Sequence, residues 1–341
     1  MNRSNKKKTI KINFKYFWDN FDKQDNFFTY TLSKMYHVEI SDKPDYVFYS
    51  VYPEIQGKVK DLSKKGDFIK KISPRLYILI RKLYSKVKLL FSKNKPQVPK
   101  GNFIKIFYGG EHVKPNMNEC DWAFSSHFEN IIDHPNHMRI PVYVVSDYKL
   151  NNYGAPSNIK KVDFNKITKE KTNFCNFIYS QETPERSNFF KELSKYKHID
   201  SPGRCMNNMP AIGYDTPKKS RASFNWVEEK LKFIQKYKFT IAFENSLKPA
   251  YVTEKLTHPM LVNSIPIYFG HKDVSKEFNT KSFINYNDFR SMKEFIDYII
   301  KVDKDKKLYQ EILNQNWYPQ HNSIPPFSEK RLLEMYKRIF D

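Results

Sequence analysis

Short runs of apolar side chains recur along the chain and are separated by segments of helical period. Residues 9–15 (TIKINFK) alternate apolar and polar side chains, as a half-buried strand does. Continuous runs rich in β-branched and aromatic residues are typical of buried parallel strands, and they cover 45–51, 103–108, 139–145, 173–180, 238–243 and 265–269. Helical patterns cover 184–196, 253–263, 292–301, 304–316 and 328–339. This order of elements predicts an α/β protein.

The alternation of strands and helices is interrupted by a polar stretch, residues 147–171, which we interpret as a connection between domains. A chain of 341 residues fits two domains of ordinary size. We therefore expect Rossmann-like domains at 1–150 and 151–325 and a C-terminal helix at 326–341. The predicted fold class is α/β, with two Rossmann-like domains that face each other across a cleft. Other two-domain enzymes share this architecture, so the fold alone does not name a function.

Composition narrows the classes of partner and site. Hydrophobic residues make up 40% of the chain and aromatic residues 16%, which indicates a packed globular protein. The formal net charge of +22 implies an anionic partner such as nucleic acid, anionic lipid or a phosphorylated small molecule. Three widely spaced cysteines favour reduced thiols in a cytosolic protein over a disulfide framework. Neither a CxxC pair nor an HExxH motif is present, so no zinc site is predicted.

Much of the positive charge lies in an insertion at about 56–100 of the first domain. Residues 58–100 contain fourteen Lys or Arg against two Asp. From Ser73 and Pro74 onward, an apolar stripe with lysines and arginines around it predicts an amphipathic helix, typical of contact with an anionic membrane surface. The alternative is a helix that packs on the first domain. No nucleic-acid motif occurs here, and nucleic acid is not expected as a partner.

The sequence predicts neither a signal peptide nor a transmembrane helix. The N-terminal residues are basic but are not followed by the apolar stretch of a signal peptide. No run of about eighteen apolar residues occurs anywhere in the chain. We therefore expect a cytoplasmic protein whose membrane contact, if it has one, is peripheral and on the inner face of the cytoplasmic membrane.

The richest candidate chemistry lies between Phe243 and Lys255. A predicted strand (KFTIAF) runs through a short loop into a predicted helix that starts near Thr253. Ligands of open α/β sheets bind beyond the carboxyl ends of strands, and a helix N-terminus favours phosphate. The segment adds carboxylate, amide, phenol and ammonium groups, which suit sugar hydroxyls and a diphosphate. A solvated helix start remains the alternative.

The stretch AFENSLKPAYVTEKL, followed by IPIYFG, resembles the signature of the α-1,3-fucosyltransferases of glycosyltransferase family 10, of the bacterial type. GGEHVKPNMNECDWAFSSHF resembles the acceptor-domain motif of the family. ERSNFFKELSKYK and IDSPGRCMNN resemble the helix and loop that carry its phosphate-contacting arginine. The resemblance covers residues 103–300. It implies that the α/β fold is of the GT-B type, with two Rossmann-like domains facing each other across a cleft.

The resemblance implies an inverting transferase that moves L-fucose from GDP-fucose to a hydroxyl of N-acetylglucosamine, or of glucose, in a glycan. An α-1,3 linkage and a lipopolysaccharide-type or other surface glycan are expected. The N-terminal domain would bind the acceptor and the C-terminal domain GDP-fucose. No cofactor is expected to be required, and a divalent metal would at most stimulate the reaction.

The resemblance also assigns residues to roles. Glu111 follows two glycines in the acceptor motif and is expected to be the general base. A base that works near neutral pH gains from a raised carboxylate pKa, which partial burial would supply. Glu254 is the second catalytic candidate. Arg186 and Lys255 are expected to neutralise the diphosphate leaving group. The remaining donor-site candidates are Glu244, Asn245, Tyr251 and Arg204.

Some of these residues have structural alternatives. Glu111 could be a glutamate of a surface loop, Arg186 a solvated helix residue, and Glu244 a buried brace that accepts backbone N–H bonds. Two departures from the family pattern, His112 and Pro259, leave the acceptor and the local geometry open. Two other functions also remain: a GT-B transferase with another nucleotide sugar or linkage, and a non-catalytic basic protein that binds membrane or nucleic acid.

Overall fold

The structure is a computed structural model that describes residues 7–18, 21–52, 97–146, 148–150, 163–212, 224–319 and 327–341. The predicted amphipathic helix after Ser73 and Pro74 lies outside these residues. The chain forms two compact units. The first unit comprises Met1–Ser125, Glu129–Met138 and Leu333–Asp341, and the second comprises Ser126–Phe128 and Arg139–Leu332.

The first unit is built on a sheet of six strands. In chain order they are β1 Thr9–Lys15, β2 His37–Ile40, β3 Tyr46–Tyr49, β4 Ile104–Gly109, β5 Trp122–Ser125 and β6 His137–Arg139. The sheet order is β2-β1-β3-β4-β5-β6, and the pairings from β2 to β5 are parallel. Its helices are α1 Phe27–Leu32, α2 Glu129–Ile132 and the last turns of α10, Glu329–Phe340.

The second unit has a sheet of five parallel strands in the order β11-β10-β9-β7-β8. They are β7 Asn173–Asn176, β8 Ile199–Asp200, β9 Tyr237–Phe243, β10 Ile265–Phe269 and β11 Ile284–Asn285. The helices are α3 Val142–Ser146, α4 Phe164–Glu170, α5 Pro184–Ser194, α6 Phe224–Ile234, α7 Glu254–Leu261, α8 Met292–Lys304 and α9 Lys306–Leu313. Short 3-10 helices cover Lys272–Lys276, Thr280–Ser282 and Tyr286–Asp288.

Parallel strands place all their carboxyl ends at one edge of the sheet, and ligands of such sheets bind there. In the second unit this edge carries the residues that follow β7, β9 and β10. Phe239 and Phe243 of β9 are buried with Phe177 and Phe189 in the core beneath it. A central strand covered on both faces explains the continuous apolar run in its sequence.

The prediction of a strand at 139–145 was wrong. Strand β6 ends at Arg139, and helix α3 occupies Val142–Ser146 after Pro141. A short apolar run does not distinguish a buried strand from a buried helix, and proline at a helix start needs no N–H partner. The polar stretch 147–171 also contains a helix, α4, which is capped by Asp163.

A buried ion pair ties together three segments of the second unit. The Arg139 guanidinium donates to both oxygens of Glu277, at 2.9 and 2.7 Å. Tyr143 donates to the same carboxylate at 2.8 Å, and Arg139 Nε donates to the Ser126 carbonyl at 3.1 Å. Both charged side chains are at most 5% exposed. A buried pair of this kind fixes geometry more reliably than it adds stability.

In the described part of the chain, no helix is both long enough and apolar enough to span a bilayer. The three cysteines, Cys120, Cys175 and Cys205, are buried and unpaired with one another.

Candidate functional site

The Phe243–Lys255 segment forms the predicted strand, loop and helix start. Strand β9 ends at Phe243, and helix α7 begins at Glu254. Thr253 is the N-cap, and its hydroxyl accepts from the Lys255 N–H at 3.3 Å. The predicted strand and helix are therefore confirmed. Pro259 lies inside α7, which nevertheless continues to Leu261.

Glu244 braces this loop from beneath. Its side chain is fully buried. The carboxylate accepts from the Thr253 backbone N–H at 2.8 Å and from the Thr253 hydroxyl at 3.0 and 2.8 Å. Burial raises the pKa of Glu244, and the nearby Lys255 opposes this rise. The contacts match the alternative in which Glu244 accepts a backbone N–H bond and positions the loop.

Lys255 lies between two carboxylates at the start of α7. Its Nζ is 3.5 Å from Glu244 Oε2 and 3.6 Å from Glu254 Oε1, and it donates to Thr253 Oγ1 at 3.1 Å. Burial alone would lower the pKa of Lys255, but the charges of Glu254 and Glu244 outweigh it and raise that pKa. The ammonium is therefore a permanent cation, and 17% of its side chain is exposed.

Glu254 is held ionised by several cations. Burial alone would raise its pKa, but the charges of Lys255, Lys230 and His258 outweigh that effect and lower the pKa of Glu254 to about 2. Lys230 reaches the site from α6 and is bonded to His258 Nδ1 at 3.1 Å. With 28% of its side chain exposed, Glu254 remains accessible as an acceptor for hydroxyl groups.

Arg186 is a buried residue, not a solvated one. Helix α5 starts at Pro184 after the N-cap Thr183, which places Arg186 at its third position, and the residue is 2% exposed. The guanidinium donates to the Phe243 carbonyl at 2.8 Å and to Asn245 Oδ1 at 2.6 Å. Asn245 is itself exposed. The structure thus joins two predicted donor-site residues directly.

The other two donor-site candidates differ in exposure. Tyr251 is 6% exposed, and its phenol interacts electrostatically with the Lys255 side chain, so it belongs to the same cluster. Arg204 is exposed in the loop that follows β8. That loop meets the site through Cys205, whose N–H donates to the Tyr179 carbonyl at 3.0 Å. The structure therefore brings six predicted residues into one cluster and leaves Arg204 at its margin.

Glu111 belongs to the first unit, where it follows β4. Gly109 ends β4 and Gly110 follows it, and a Cβ added to Gly109 would lie 3.0 Å from the Val113 carbonyl oxygen. The carboxylate accepts from the Tyr52 hydroxyl at 2.8 Å. Glu111 is exposed, so the partial burial that would favour a base near neutral pH is absent at this residue. Exposure leaves the carboxylate accessible to an acceptor hydroxyl.

Sequence reasoning missed four residues that contact the predicted ones: Tyr52, Tyr179, Lys230 and His258. Tyr52 and Tyr179 each lie three residues beyond the end of a parallel strand, β3 and β7. Their position just after a strand end could have indicated a site residue in both cases, since ligands bind beyond the carboxyl ends of strands. His258 lies four residues after Glu254, on the same helix face. Lys230 gave no signal, because a lysine on a polar helix face usually lies in solvent.

Within the described ranges, no group of three or more His, Cys, Asp or Glu side chains could hold a metal ion. Two cationic side chains serve this region. Lys255 lies at the start of α7, where a helix N-terminus favours an anion, and Arg186 of α5 reaches the end of β9 and Asn245.

Comparison with known proteins matches both parts of the chain. Residues 167–333 match the C-terminal model of glycosyltransferase family 10 (fucosyltransferase). Residues 12–60 and 57–146 match the N-terminal domain model of the α-(1,3)-fucosyltransferase FucT. A crystal structure of an α1,3-fucosyltransferase superposes with a TM-score of 0.66 at 23% identity, over 98% of this chain and 91% of that one. A second structure, of an α1,3-fucosyltransferase with GDP-fucose, gives 0.65 at 22% identity, over 99% and 93%.

Curated relatives are similar over parts of their length. The α-(1,3)-fucosyltransferase FucT of Helicobacter pylori is 28% identical over 70% of this chain and 53% of its own. The α-(1,3)-fucosyltransferase B of Drosophila melanogaster is 38% identical over a stretch that covers 43% of this chain and 32% of that protein. A GDP-fucose protein O-fucosyltransferase 3 of Xenopus tropicalis is 34% identical over a stretch that covers 38% of this chain and 27% of that protein. The chain spans about half or less of the length of the curated relatives that it matches.

The two parallel-sheet units and the likeness to these solved structures place the protein in the GT-B fold class. Within that class, the chain belongs to glycosyltransferase family 10, the fucosyltransferases.

Proposed function

We propose that this chain transfers L-fucose from GDP-fucose to a hydroxyl of a glycan, with inversion at the anomeric carbon. The observation that carries the proposal is the Lys255 ammonium, fixed at the start of α7 by Glu244 and Glu254. The second unit binds the donor, and the first unit binds the acceptor. Membership of family 10 supports this assignment.

The donor side is suited to a diphosphate that departs with additional negative charge. Lys255 offers an accessible point charge, and the start of α7 adds its partial positive charge. Arg186 donates three hydrogen bonds, yet its buried Nε has no partner among the described residues. A buried N–H of this kind calls for an acceptor, and a phosphate oxygen is one. Glu254 and Asn245 offer acceptors for ribose or fucose hydroxyls.

In the reaction, Glu111 removes the proton from the acceptor hydroxyl as its oxygen forms a bond to the anomeric carbon of fucose. The bond from that carbon to the β-phosphate oxygen breaks, and the electron pair leaves with GDP. Tyr52 orients the Glu111 carboxylate by donating to one oxygen. Lys255 and Arg186 stabilise the departing diphosphate, because negative charge develops on it in the transition state.

We assign the acceptor to N-acetylglucosamine or glucose in a glycan of the lipopolysaccharide or another surface type, with an α-1,3 linkage. The names of the Helicobacter and Drosophila relatives support the linkage. A second candidate is a protein hydroxyl, because several relatives are named GDP-fucose protein O-fucosyltransferase 3. Both candidates use the same donor site.

The decisive experiment offers the full chain several nucleotide sugars with lactose, N-acetyllactosamine or an unfolded polypeptide as acceptor. Released GDP and the fucosylated product are measured. Turnover with GDP-fucose and a disaccharide supports the first proposal, and turnover with the polypeptide alone supports the second. Turnover with a different nucleotide sugar and none with GDP-fucose would overturn both.

We further propose that the protein works in the cytoplasm, with residues 58–100 bringing it to an anionic membrane surface. The charge of that segment supports the proposal. Sedimentation with vesicles of anionic lipid tests it against a variant in which Lys82, Lys86 and Lys88 are replaced by Glu. Equal sedimentation of the two proteins would contradict membrane binding by this segment.

A further inference from the structure

Tyr179 connects two strands of the second unit at the edge that carries the donor site. It lies three residues beyond β7 and is 5% exposed. Its hydroxyl donates to the Ile241 carbonyl at 2.9 Å and accepts from the Phe243 N–H at 2.5 Å. The ladder between β7 and β9 pairs residues as far as Asn176 and Thr240. The phenol therefore continues the connection beyond the last paired residues.

The ring of Tyr179 supports the side chain of Arg186. The guanidinium carbon lies 4.1 Å from the ring centroid, and both side chains are buried. A cation over an aromatic face is held more strongly when water is excluded. Arg186 in turn donates to the Phe243 carbonyl and to Asn245. Tyr179 and Arg186 thus hold the same stretch, residues 241–245.

The backbone of Tyr179 is fixed by the loop after β8. A Cβ added to Gly203 would lie 2.3 Å from the Tyr179 carbonyl oxygen and 2.6 Å from its nitrogen. A side chain at position 203 would therefore displace backbone atoms. The Cys205 N–H also donates to the Tyr179 carbonyl at 3.0 Å. With its backbone, ring and hydroxyl all engaged, Tyr179 has little freedom to move.

We propose that Tyr179 is a positioning residue of the donor site, which holds Arg186 and the end of β9 in the arrangement that binds a nucleoside diphosphate. The inference rests on the proposed function, because it assigns Arg186 to the diphosphate. Burial raises the pKa of Tyr179 despite the nearby cations Arg186 and Lys255, so the hydroxyl keeps its proton and donates at neutral pH.

The test is the affinity of the full chain for GDP, measured by calorimetry, together with kcat and KM for GDP-fucose. Tyr179→Leu removes the ring face, and we expect GDP affinity to fall at least about tenfold and kcat to fall with it. Tyr179→Phe keeps the ring but leaves the Phe243 N–H without its acceptor. We expect a smaller loss, about threefold.

Tyr309→Leu is the matched control. Tyr309 is also buried, contacts Phe239 of β9 and has a lysine, Lys238, over its ring at 4.9 Å. It belongs to α9, and its ring contacts Phe239 and Lys238 but none of the donor-site residues that the structure describes. We expect its replacement to lower the melting temperature while GDP affinity and kcat stay within about twofold of the original protein, because the cluster at the start of α7 is untouched.

The outcomes separate the inference from the proposed function. If the unaltered chain does not bind GDP, the proposed function fails. If the unaltered chain binds GDP and a folded Tyr179→Leu variant binds it equally well, the positioning role fails. If Tyr179→Leu does not fold, GDP affinity of Tyr179→Phe equal to that of the unaltered chain overturns the inference. The double variant of Tyr179→Leu and Arg186→Ala gives a further test, since the two residues are proposed to act as one unit. If its loss of GDP binding free energy equals the sum of the losses in the two single variants, the inference is also overturned.

Discussion

The ammonium of Lys255 lies 3.5 Å from a carboxylate oxygen of Glu244, whose side chain is fully buried. Glu244 also accepts from both the N–H and the hydroxyl of Thr253, the N-cap of α7. One buried carboxylate thus fixes the loop, the helix start and the cation together. In this chain the glutamate at the strand end and the glutamate at the helix start therefore both lie near the same cation.

Glu244→Gln should destabilise the protein. The amide keeps the shape of the side chain but loses the charge that Lys255 and Thr253 contact, and hydrogen bonds to charged groups contribute about 1.5–3 kcal/mol. We expect a loss of this size in the free energy of unfolding, measured by urea titration. Asp297→Asn is the control, because Asp297 pairs with Lys293 at an exposed site. A loss no larger than that of the control would contradict the bracing role.

Glu254 should give the protein an acid-sensitive contribution to stability. Its folded pKa of about 2 is below the ordinary value of 4.5, so the contribution is present above pH 4.5 and is lost as pH falls toward 2. The contribution is at most about 3 kcal/mol and is reduced by the partial exposure of the side chain. We expect the difference in unfolding free energy between the unaltered chain and Glu254→Gln to narrow between pH 7 and pH 3.

The control for this measurement is Glu228→Gln, since Glu228 forms an exposed pair with Lys232 on α6. Its difference from the unaltered chain should stay near zero at both pH values. A gap for Glu254→Gln that is the same at pH 7 and pH 3 would show that the carboxylate charge is not the source of the effect.

Replacing Arg139 alone should lower the free energy of unfolding more than replacing both Arg139 and Glu277. Arg139→Met leaves the Glu277 carboxylate buried, with Tyr143 as its one remaining side-chain donor among the described residues, and such a change costs about 3–5 kcal/mol. The double variant with Glu277→Leu removes both charges and should recover part of that loss. Unfolding in urea measures both. A double variant less stable than Arg139→Met would refute this account of the pair.

Glu111→Gln should lower kcat without weakening GDP binding. A general base contributes about 10²–10⁴-fold to the rate, and the amide cannot accept the proton. GDP release with a disaccharide acceptor measures the rate, and calorimetry measures GDP affinity. Glu119→Gln is the control, because Glu119 is an exposed glutamate of the same unit. Weaker GDP binding with an unchanged rate would assign Glu111 to the donor instead.

Local signals explain most of what the sequence predicted correctly. Thr183 and Pro184 predicted the start of α5, and Thr253 predicted the start of α7, because caps and first-turn prolines act within a few residues. The burial of Arg186 was not predicted. Arg186 is covered by Tyr179 and by the end of β9, which local helical spacing does not bring into view. From helical spacing alone, a charged residue is predicted to lie in solvent.

The hydrogen bond between Glu111 and Tyr52 was also not predictable from the sequence. The contact joins residues fifty-nine positions apart, across parallel strands β3 and β4. Pattern reasoning placed Glu111 at a strand end correctly, since β4 ends at Gly109. It could not supply the neighbours, because the order of strands in a sheet is decided by packing and not by local propensity.

The return of residues 333–341 to the first unit has a consequence for the order of folding during synthesis. The Thr31 and Tyr336 hydroxyls are 2.8 Å apart, and the ring of Phe340 lies 4.6 Å from that of Tyr46. These contacts form after the second unit has left the ribosome, although domains usually fold in order of synthesis. The first unit must therefore wait, with part of its apolar surface uncovered, until the segment that covers it has been translated.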